Sequence, residues 1–93
     1  MKELTVKKFK YIVNRCYGLV SNNGYYFEIT EAEGGNGYMF FNLQEEDIFV
    51  NIYFDKIISV NCDCCGYIVV RYYDNDNNIK EFTFTPLKEY IIR

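Results

Sequence analysis

The spacing of apolar residues changes at Gly18. Before it, apolar side chains recur every three or four positions, and on a helical wheel they fall within one arc of about 140°. The pattern predicts an amphipathic helix over residues 5–17, with Thr5 as its N-cap and Gly18 where the helix ends. The side chains in this arc belong to Val6, Phe9, Ile12, Val13, Cys16 and Tyr17.

After Gly18, apolar and polar residues alternate in short runs separated by clusters of Asn, Asp and Gly, as in β-strands joined by turns. One hairpin turn is predicted at residues 22–24, where Asn and Gly tolerate positive φ, and another at the polar run 74–78. Pro86 lacks an amide hydrogen and is expected to end the last strand. The predicted strands cover residues 19–21, 25–31, 38–43, 48–54, 57–62, 66–73 and 79–85.

These elements predict one α+β domain over residues 1–93. Its amphipathic N-terminal helix packs on a strongly bent antiparallel sheet, or on a small barrel, of six to seven strands in a meander. Because residues 5–17 are rich in β-branched and aromatic side chains, a strand there and an all-β fold are the alternative. Several strands are apolar on both faces. Either the sheet curls and the helix covers the second face, or one face is a contact surface.

The composition argues against catalysis. The chain has 93 residues, 49% of them hydrophobic, and no His. Without His it lacks the commonest general base and the commonest zinc ligand, so we expect a non-enzymatic protein without a cofactor. No signal-peptide pattern is visible, and no apolar run approaches the roughly 20 residues of a membrane span. We therefore expect a cytoplasmic protein that has reduced cysteines and does not bind membranes.

The charges are distributed unevenly around a net charge of −3. Residues 1–15 carry five basic residues and one acidic residue, a balance of +4, whereas residues 16–93 carry five basic and twelve acidic residues, a balance of −7. Such an acidic body repels phosphate backbones, so direct binding of nucleic acid is not expected. The charge favours a protein partner with a basic surface. A homodimer is compatible with the two-faced strands.

Four cysteines include a cluster in Asn61-Cys62-Asp63-Cys64-Cys65-Gly66. Cys62 and Cys65 have the C-x-x-C spacing of zinc-knuckle turns, but a tetrahedral zinc site needs four ligands. We expect reduced thiols in a tight hairpin turn. The alternative is a small metal- or redox-responsive protein that uses the turn with Cys62, Cys64 and Cys65. The alternative metal site consists of Cys16, Cys62, Cys64 and Cys65.

Tyrosine is the most abundant aromatic residue, with ten Tyr beside eight Phe. Because Tyr is rigid and amphipathic, it is enriched at protein interfaces. We therefore predict an aromatic and acidic partner-binding surface. Its residues are Tyr25, Tyr26, Glu28, Glu45, Glu46, Asp47, Tyr53, Asp55, Tyr72 and Tyr73.

In size, charge and residue bias the whole chain is similar in kind to phage-encoded inhibitors of host defence, such as anti-CRISPR proteins, and to toxin-immunity proteins. The similarity rests on no motif. It implies an inhibitor that blocks the basic, nucleic-acid-binding groove of its target, with carboxylates standing in for phosphates. A homo-oligomeric structural component is a further alternative, in which the two-faced apolar strands pair across subunits.

Overall fold

The computed structural model describes residues 2–31, 38–43 and 49–88, in which one α-helix and eight strands form. A single turn of 3₁₀ helix, Phe54–Lys56, joins two of the strands. The elements confirm the predicted α+β fold. They are β1 (Lys2–Leu4), α1 (Val6–Asn14), β2 (Cys16–Ser21), β3 (Tyr26–Glu31), β4 (Tyr38–Leu43), β5 (Phe49–Tyr53), β6 (Ile57–Cys62), β7 (Ile68–Tyr73) and β8 (Ile79–Lys88).

All eight strands belong to one sheet, in the order β1-β6-β7-β8-β2-β3-β4-β5. Every neighbouring pair is antiparallel. Instead of the single meander expected from the sequence, two meanders, β2–β5 and β6–β8, are joined where β2 pairs with β8. Val20 lies opposite Thr85 in this junction. The short strand β1 then adds to β6, with Glu3 opposite Asn61.

The connection between β5 and β6 shows how strongly the sheet bends. Five strands lie between β5 and β6 in the sheet, so a flat sheet would hold the two strands about 29 Å apart. The chain joins them with only the three residues of the 3₁₀ helix, and a three-residue connection reaches about 13 Å. The sheet therefore curls until β5 comes back near β6. It remains open, with β1 and β5 at its two ends.

Helix α1 begins as predicted and ends earlier. The Thr5 hydroxyl oxygen accepts a hydrogen bond from the amide of Lys8 at 3.0 Å, which satisfies a free N–H group of the first turn. Phe9 and Val13, one turn apart, are fully buried. The helix ends at Asn14 because Cys16 already belongs to β2. The prediction that the helix extends to residue 17 is therefore wrong.

The core lies between α1 and the inward face of the curled sheet. Phe9 of the helix contacts the rings of Phe54 and Phe84, each at 6.2 Å between ring centroids. In β7 the burial alternates, so that one set of side chains faces the core and the other faces outward. The fully or largely buried hydrophobic residues are Phe9, Val13, Leu19, Phe27, Ile52, Phe54, Val60, Ile68, Val70, Tyr72 and Phe84.

Two turn-forming residues lie inside strands. Pro86 sits within β8 opposite Leu19, so the prediction that it ends the strand is wrong. The pairing of β8 with β7 stops at Phe84, and Pro86 therefore lies beyond the part of the strand that is paired on both sides.

Gly18 lies in β2. A Cβ there would be 2.8 Å from the Tyr26 hydroxyl and 2.9 Å from a backbone carbonyl of β3, so only glycine fits without displacement.

Candidate functional site

Three hairpin turns have the same backbone geometry: residues 21–25, 63–67 and 74–78. In each turn, the first residue donates its N–H to the carbonyl of the fifth residue, at 2.8 to 3.0 Å. The fourth residue donates its N–H to the carbonyl of the first and has a positive φ. This is the geometry of a type I turn followed by a left-handed residue. The left-handed residues are Gly24 (88°), Gly66 (89°) and Asn77 (63°).

The side chain of the first residue holds each turn in place. Asp63 Oδ1 accepts hydrogen bonds from the amides of Cys65 and Tyr67, both at 2.9 Å. Asp74 Oδ1 accepts two bonds of the same length from the equivalent amides in the turn 74–78. In the turn 21–25, a serine hydroxyl accepts one such bond at 3.2 Å. The first and fourth residues thus define the turn, and the side chains of the second and third contribute no hydrogen bond to it.

Three large apolar side chains are exposed on neighbouring strands of the second meander. Tyr73 of β7 lies directly opposite Ile79 of β8, and directly opposed side chains lie on the same face. Their exposed fractions are 42% and 52%. Ile58 of β6, also 42% exposed, lies where the β6–β7 register shifts between Ile57 and Ser59. We call Ile58, Tyr73 and Ile79 the β6–β8 patch.

Charged residues border this patch. Arg71 and Glu81 are paired across β7 and β8, with 4.0 Å between Nε and Oε2. Because both are exposed, the ion pair adds little stability, but their charges offset each other. The turn 74–78 connects Tyr73 to Ile79 and carries the carboxylates of Asp74 and Asp76.

A cleft of about 270 Å³ opens between β5 and the turn 74–78. Tyr72, only 7% exposed, lines it from the core side. Burial, and then the nearby negative charge of Asp74, raise the pKa of the Tyr72 hydroxyl. Asn51 Oδ1 is buried and accepts no hydrogen bond from the residues that the structure describes. The lining residues are Val50, Asn51, Tyr72, Asp74, Asn75, Asp76 and Lys80.

The predicted tyrosines differ in how far they are exposed. Tyr73 is exposed in the β6–β8 patch, whereas its neighbour Tyr72 is 7% exposed and faces the core. The part of Tyr72 in partner binding stays a prediction. Tyr53 is half-buried beneath Lys56, whose Nζ lies 5.4 Å from the ring centroid. Tyr25 is exposed on the separate turn 21–25.

The remaining predicted site residues also differ in their exposure. The half-buried Tyr26 packs its hydroxyl against Gly18, and Glu28 is exposed on β3. Asp55 is exposed in the 3₁₀ helix that leads into β6.

The sequence analysis did not predict Ile58 and Ile79 as surface residues of the patch. Ile79 could have been found, because it follows the predicted turn directly and is paired with an outward tyrosine. Glu45, Glu46 and Asp47 lie outside the described residues.

The cysteines separate into two groups. Cys16 belongs to β2, which is separated from β6 by the two strands β7 and β8, and its Sγ donates to the Ile12 carbonyl at 3.0 Å. It therefore does not join Cys62, and the four-cysteine site is not assembled. Across residues 2–31, 38–43 and 49–88, no group of three or more Cys, Asp or Glu side chains is placed to hold a metal ion.

Cys64 and Cys65 are the second and third residues of the turn 63–67. Both are exposed thiols, and their Sγ atoms lie 3.8 Å apart. The hydrogen bond between them, followed by the charge of Asp63, raises the pKa of the Cys65 thiol. The raised pKa keeps the Cys65 thiol in its protonated form at neutral pH.

Helix α1 and its C-terminal end present a positively charged surface around Tyr11. Tyr11 is 52% exposed and lies between two cations, with Lys8 Nζ 5.1 Å and Arg15 Cζ 4.6 Å from its ring centroid. These distances are typical of cation–π contacts. Tyr11 is therefore a large exposed aromatic residue that lies far along the sequence from the residues of the β6–β8 patch.

No protein-family model matches the chain, and neither the curated proteins nor the solved structures include a significant match. In the part of the chain that the structure describes, no helix is long and apolar enough to cross a membrane.

Proposed function

We propose that the protein is a non-enzymatic binding domain whose β6–β8 patch docks on a basic protein. The observation that carries this proposal is the direct pairing of Tyr73 with Ile79, both more than 40% exposed, at the base of a turn with two carboxylates. Tyrosine and apolar side chains at the centre of a patch, with charged residues around it, form the usual anatomy of a protein interface.

The charge supports a basic partner. Residues 16–93 have a balance of −7, and within the patch border Arg71 and Glu81 offset each other. Asp74 and Asp76 belong to the turn that connects Tyr73 to Ile79, and they line the cleft beside β5. A cationic rim on the partner would be attracted to these carboxylates during encounter.

We further propose that binding is inhibitory. The carboxylates would occupy positions in a basic groove that normally receive phosphates, as in a phage-type inhibitor of host defence. This mode of action fits a cytoplasmic protein with reduced cysteines. Glu45, Glu46 and Asp47 remain predicted contributors to the same acidic surface.

The test is affinity capture from the native host, followed by measurement of Kd for the recovered partner. The double variant Tyr73→Thr/Ile79→Thr keeps β-forming side chains and removes most of the patch. Loss of the apolar centre should weaken binding at least tenfold, or about 1.4 kcal/mol. Tyr11→Ala is the matched control, because Tyr11 is as exposed as Ile79 but lies on the helix.

A second double variant, Asp74→Asn/Asp76→Asn, tests the electrostatic part. Asn can still accept the hydrogen bonds that hold the turn, so the fold is retained while two charges disappear. We expect slower association and a weaker dependence of binding on salt. Capture of a partner with an acidic binding face, or equal affinity of the patch variant and the Tyr11 control, would contradict the proposal.

A further inference from the structure

The vicinal cysteines of the turn 63–67 have no role in the proposed partner-binding surface. We propose that Cys64 and Cys65 form a chelating site for trivalent arsenic, with both thiols binding the same arsenic atom. The two sulfurs lie close together, hydrogen bonds fix the turn, and both side chains are exposed.

The sulfur atoms already stand at a chelating distance. Cys64 Sγ and Cys65 Sγ are 3.8 Å apart. Two sulfurs bound tetrahedrally at about 2.3 Å from one central atom, as in zinc sites, are separated by about 3.8 Å. Trivalent arsenic forms bonds of comparable length to sulfur at a somewhat narrower angle. A small rotation of the side chains is therefore enough to bring both sulfurs onto one arsenic atom.

The turn holds its backbone without help from the thiols. Asp63 Oδ1 binds the amides of Cys65 and Tyr67, and Gly66 supplies the left-handed conformation. The two cysteines occupy the second and third positions, whose side chains are exposed. The ligand thus meets two thiols on a preorganised loop and loses little affinity to ordering of the backbone.

The number of ligands favours arsenic over a structural metal. Zinc in structural sites takes four protein ligands, and among the residues that the structure describes no third Cys, Asp or Glu completes such a set here. An organic arsenic(III) centre keeps one carbon substituent and needs only two sulfurs from the protein.

A bridging atom also suits adjacent cysteines better than a direct disulfide does. Neighbouring Cα atoms across a trans peptide are about 3.8 Å apart, whereas disulfides usually join Cα atoms separated by about 4.4–6.8 Å. A direct Cys64–Cys65 bond would therefore be strained. Insertion of an arsenic atom lengthens the link between the sulfurs and avoids this strain.

The reaction is a balanced condensation without oxidation or reduction. With phenylarsine oxide, two As–S bonds form while the two S–H bonds and the arsenic–oxygen bond break. The thiol protons leave with the oxygen as one water molecule. Because no electrons are transferred, the reaction needs no co-reactant beyond the arsenical itself.

The experiment is titration of the reduced, full-length chain with phenylarsine oxide, followed by native mass spectrometry and by competition with a small dithiol. We expect one arsenical per chain, bound with loss of one water. Cys64→Ser and Cys65→Ser should each lower the affinity by about 10²–10⁴, since each converts a two-point attachment into a single one.

Cys62→Ser and Cys16→Ser are the matched controls, because each removes one thiol and leaves the pair intact. Both should retain the affinity of the parent chain, and thermal unfolding should verify that all four variants are folded. The proposal is overturned if either variant of the pair still binds one arsenical tightly. It is also overturned if Cys62→Ser lowers the affinity as much as Cys64→Ser, or if the parent chain forms only adducts at single thiols.

Discussion

The turns 63–67 and 74–78 share the same backbone geometry but carry different functional groups on their side chains. Each begins with an Asp whose Oδ1 accepts two amide hydrogen bonds at 2.9 Å, and each has a left-handed fourth residue, Gly66 or Asn77. Between these positions, the first turn carries two cysteines and the second carries Asn75 and Asp76. One turn presents a pair of thiols, and the other presents carboxylates beside an apolar patch.

The comparison separates residues needed for the fold from residues available for function. The first and fourth positions of the turn have a conformational role, so the fold constrains them. The second and third positions have exposed side chains, and in the part of the chain that the structure describes none of these side chains donates to or accepts from the turn backbone. The turn 21–25 supports this division, because its second and third residues are Asn22 and Asn23, which are also exposed.

Removal of its first residue should destabilise each turn the most. Asp63→Ala and Asp74→Ala each delete two hydrogen bonds to a charged acceptor, and we expect each to lower the free energy of unfolding by about 1–3 kcal/mol. Urea unfolding measures the effect. Asp76→Ala, at an exposed third position, should change stability by less than about 0.5 kcal/mol. Equal effects of the Asp74 and Asp76 variants would show that position does not matter.

The left-handed residues give a smaller and more specific effect. Gly66→Ala places a Cβ at a φ of 89°, which costs about 1–2 kcal/mol for an ordinary side chain. Among the residues that the structure describes, no atom lies within 4 Å of that Cβ, so the cost is conformational and not steric. Gly66→Asn should cost less, because Asn tolerates the conformation and occupies it in the other turn. If Ala and Asn at position 66 are equally destabilising in thermal or urea unfolding, the equivalence of the two turns fails.

The local parts of this fold could be predicted from the sequence, and the long-range parts could not. Thr5 as N-cap, the hairpin at Gly24 and most strand positions follow from short-range patterns. The pairing of β2 with β8 and of β1 with β6 cannot be predicted from short-range sequence patterns, because an apolar strand face can pack beside many different strands. The same ambiguity affected the site: alternation separates Tyr72 from Tyr73, but only the sheet order decides which of them faces the core.

The buried Tyr72 beside the turn 74–78 should make a small contribution to the pH dependence of stability. The pKa of Tyr72 is raised in the folded state by burial and then by the charge of Asp74. Its contribution to stability is therefore complete below the unfolded pKa of about 10. It is lost as the pH rises from there through the folded pKa, because the unfolded chain releases the proton first.

Tyr72→Phe should remove this contribution, so that stability declines less steeply between roughly pH 9 and 11 in urea unfolding followed at each pH. Tyr73→Phe is the control, because Tyr73 is 42% exposed on the other face of the same strand; its decline should match that of the parent chain. Asp74→Asn should reduce the slope in part, since it removes the second cause and leaves burial. If stability declines with pH as steeply in the Tyr72→Phe variant as in the parent chain, the buried hydroxyl does not cause the decline. The charge of Asp74 would then have no measurable effect on the core through Tyr72.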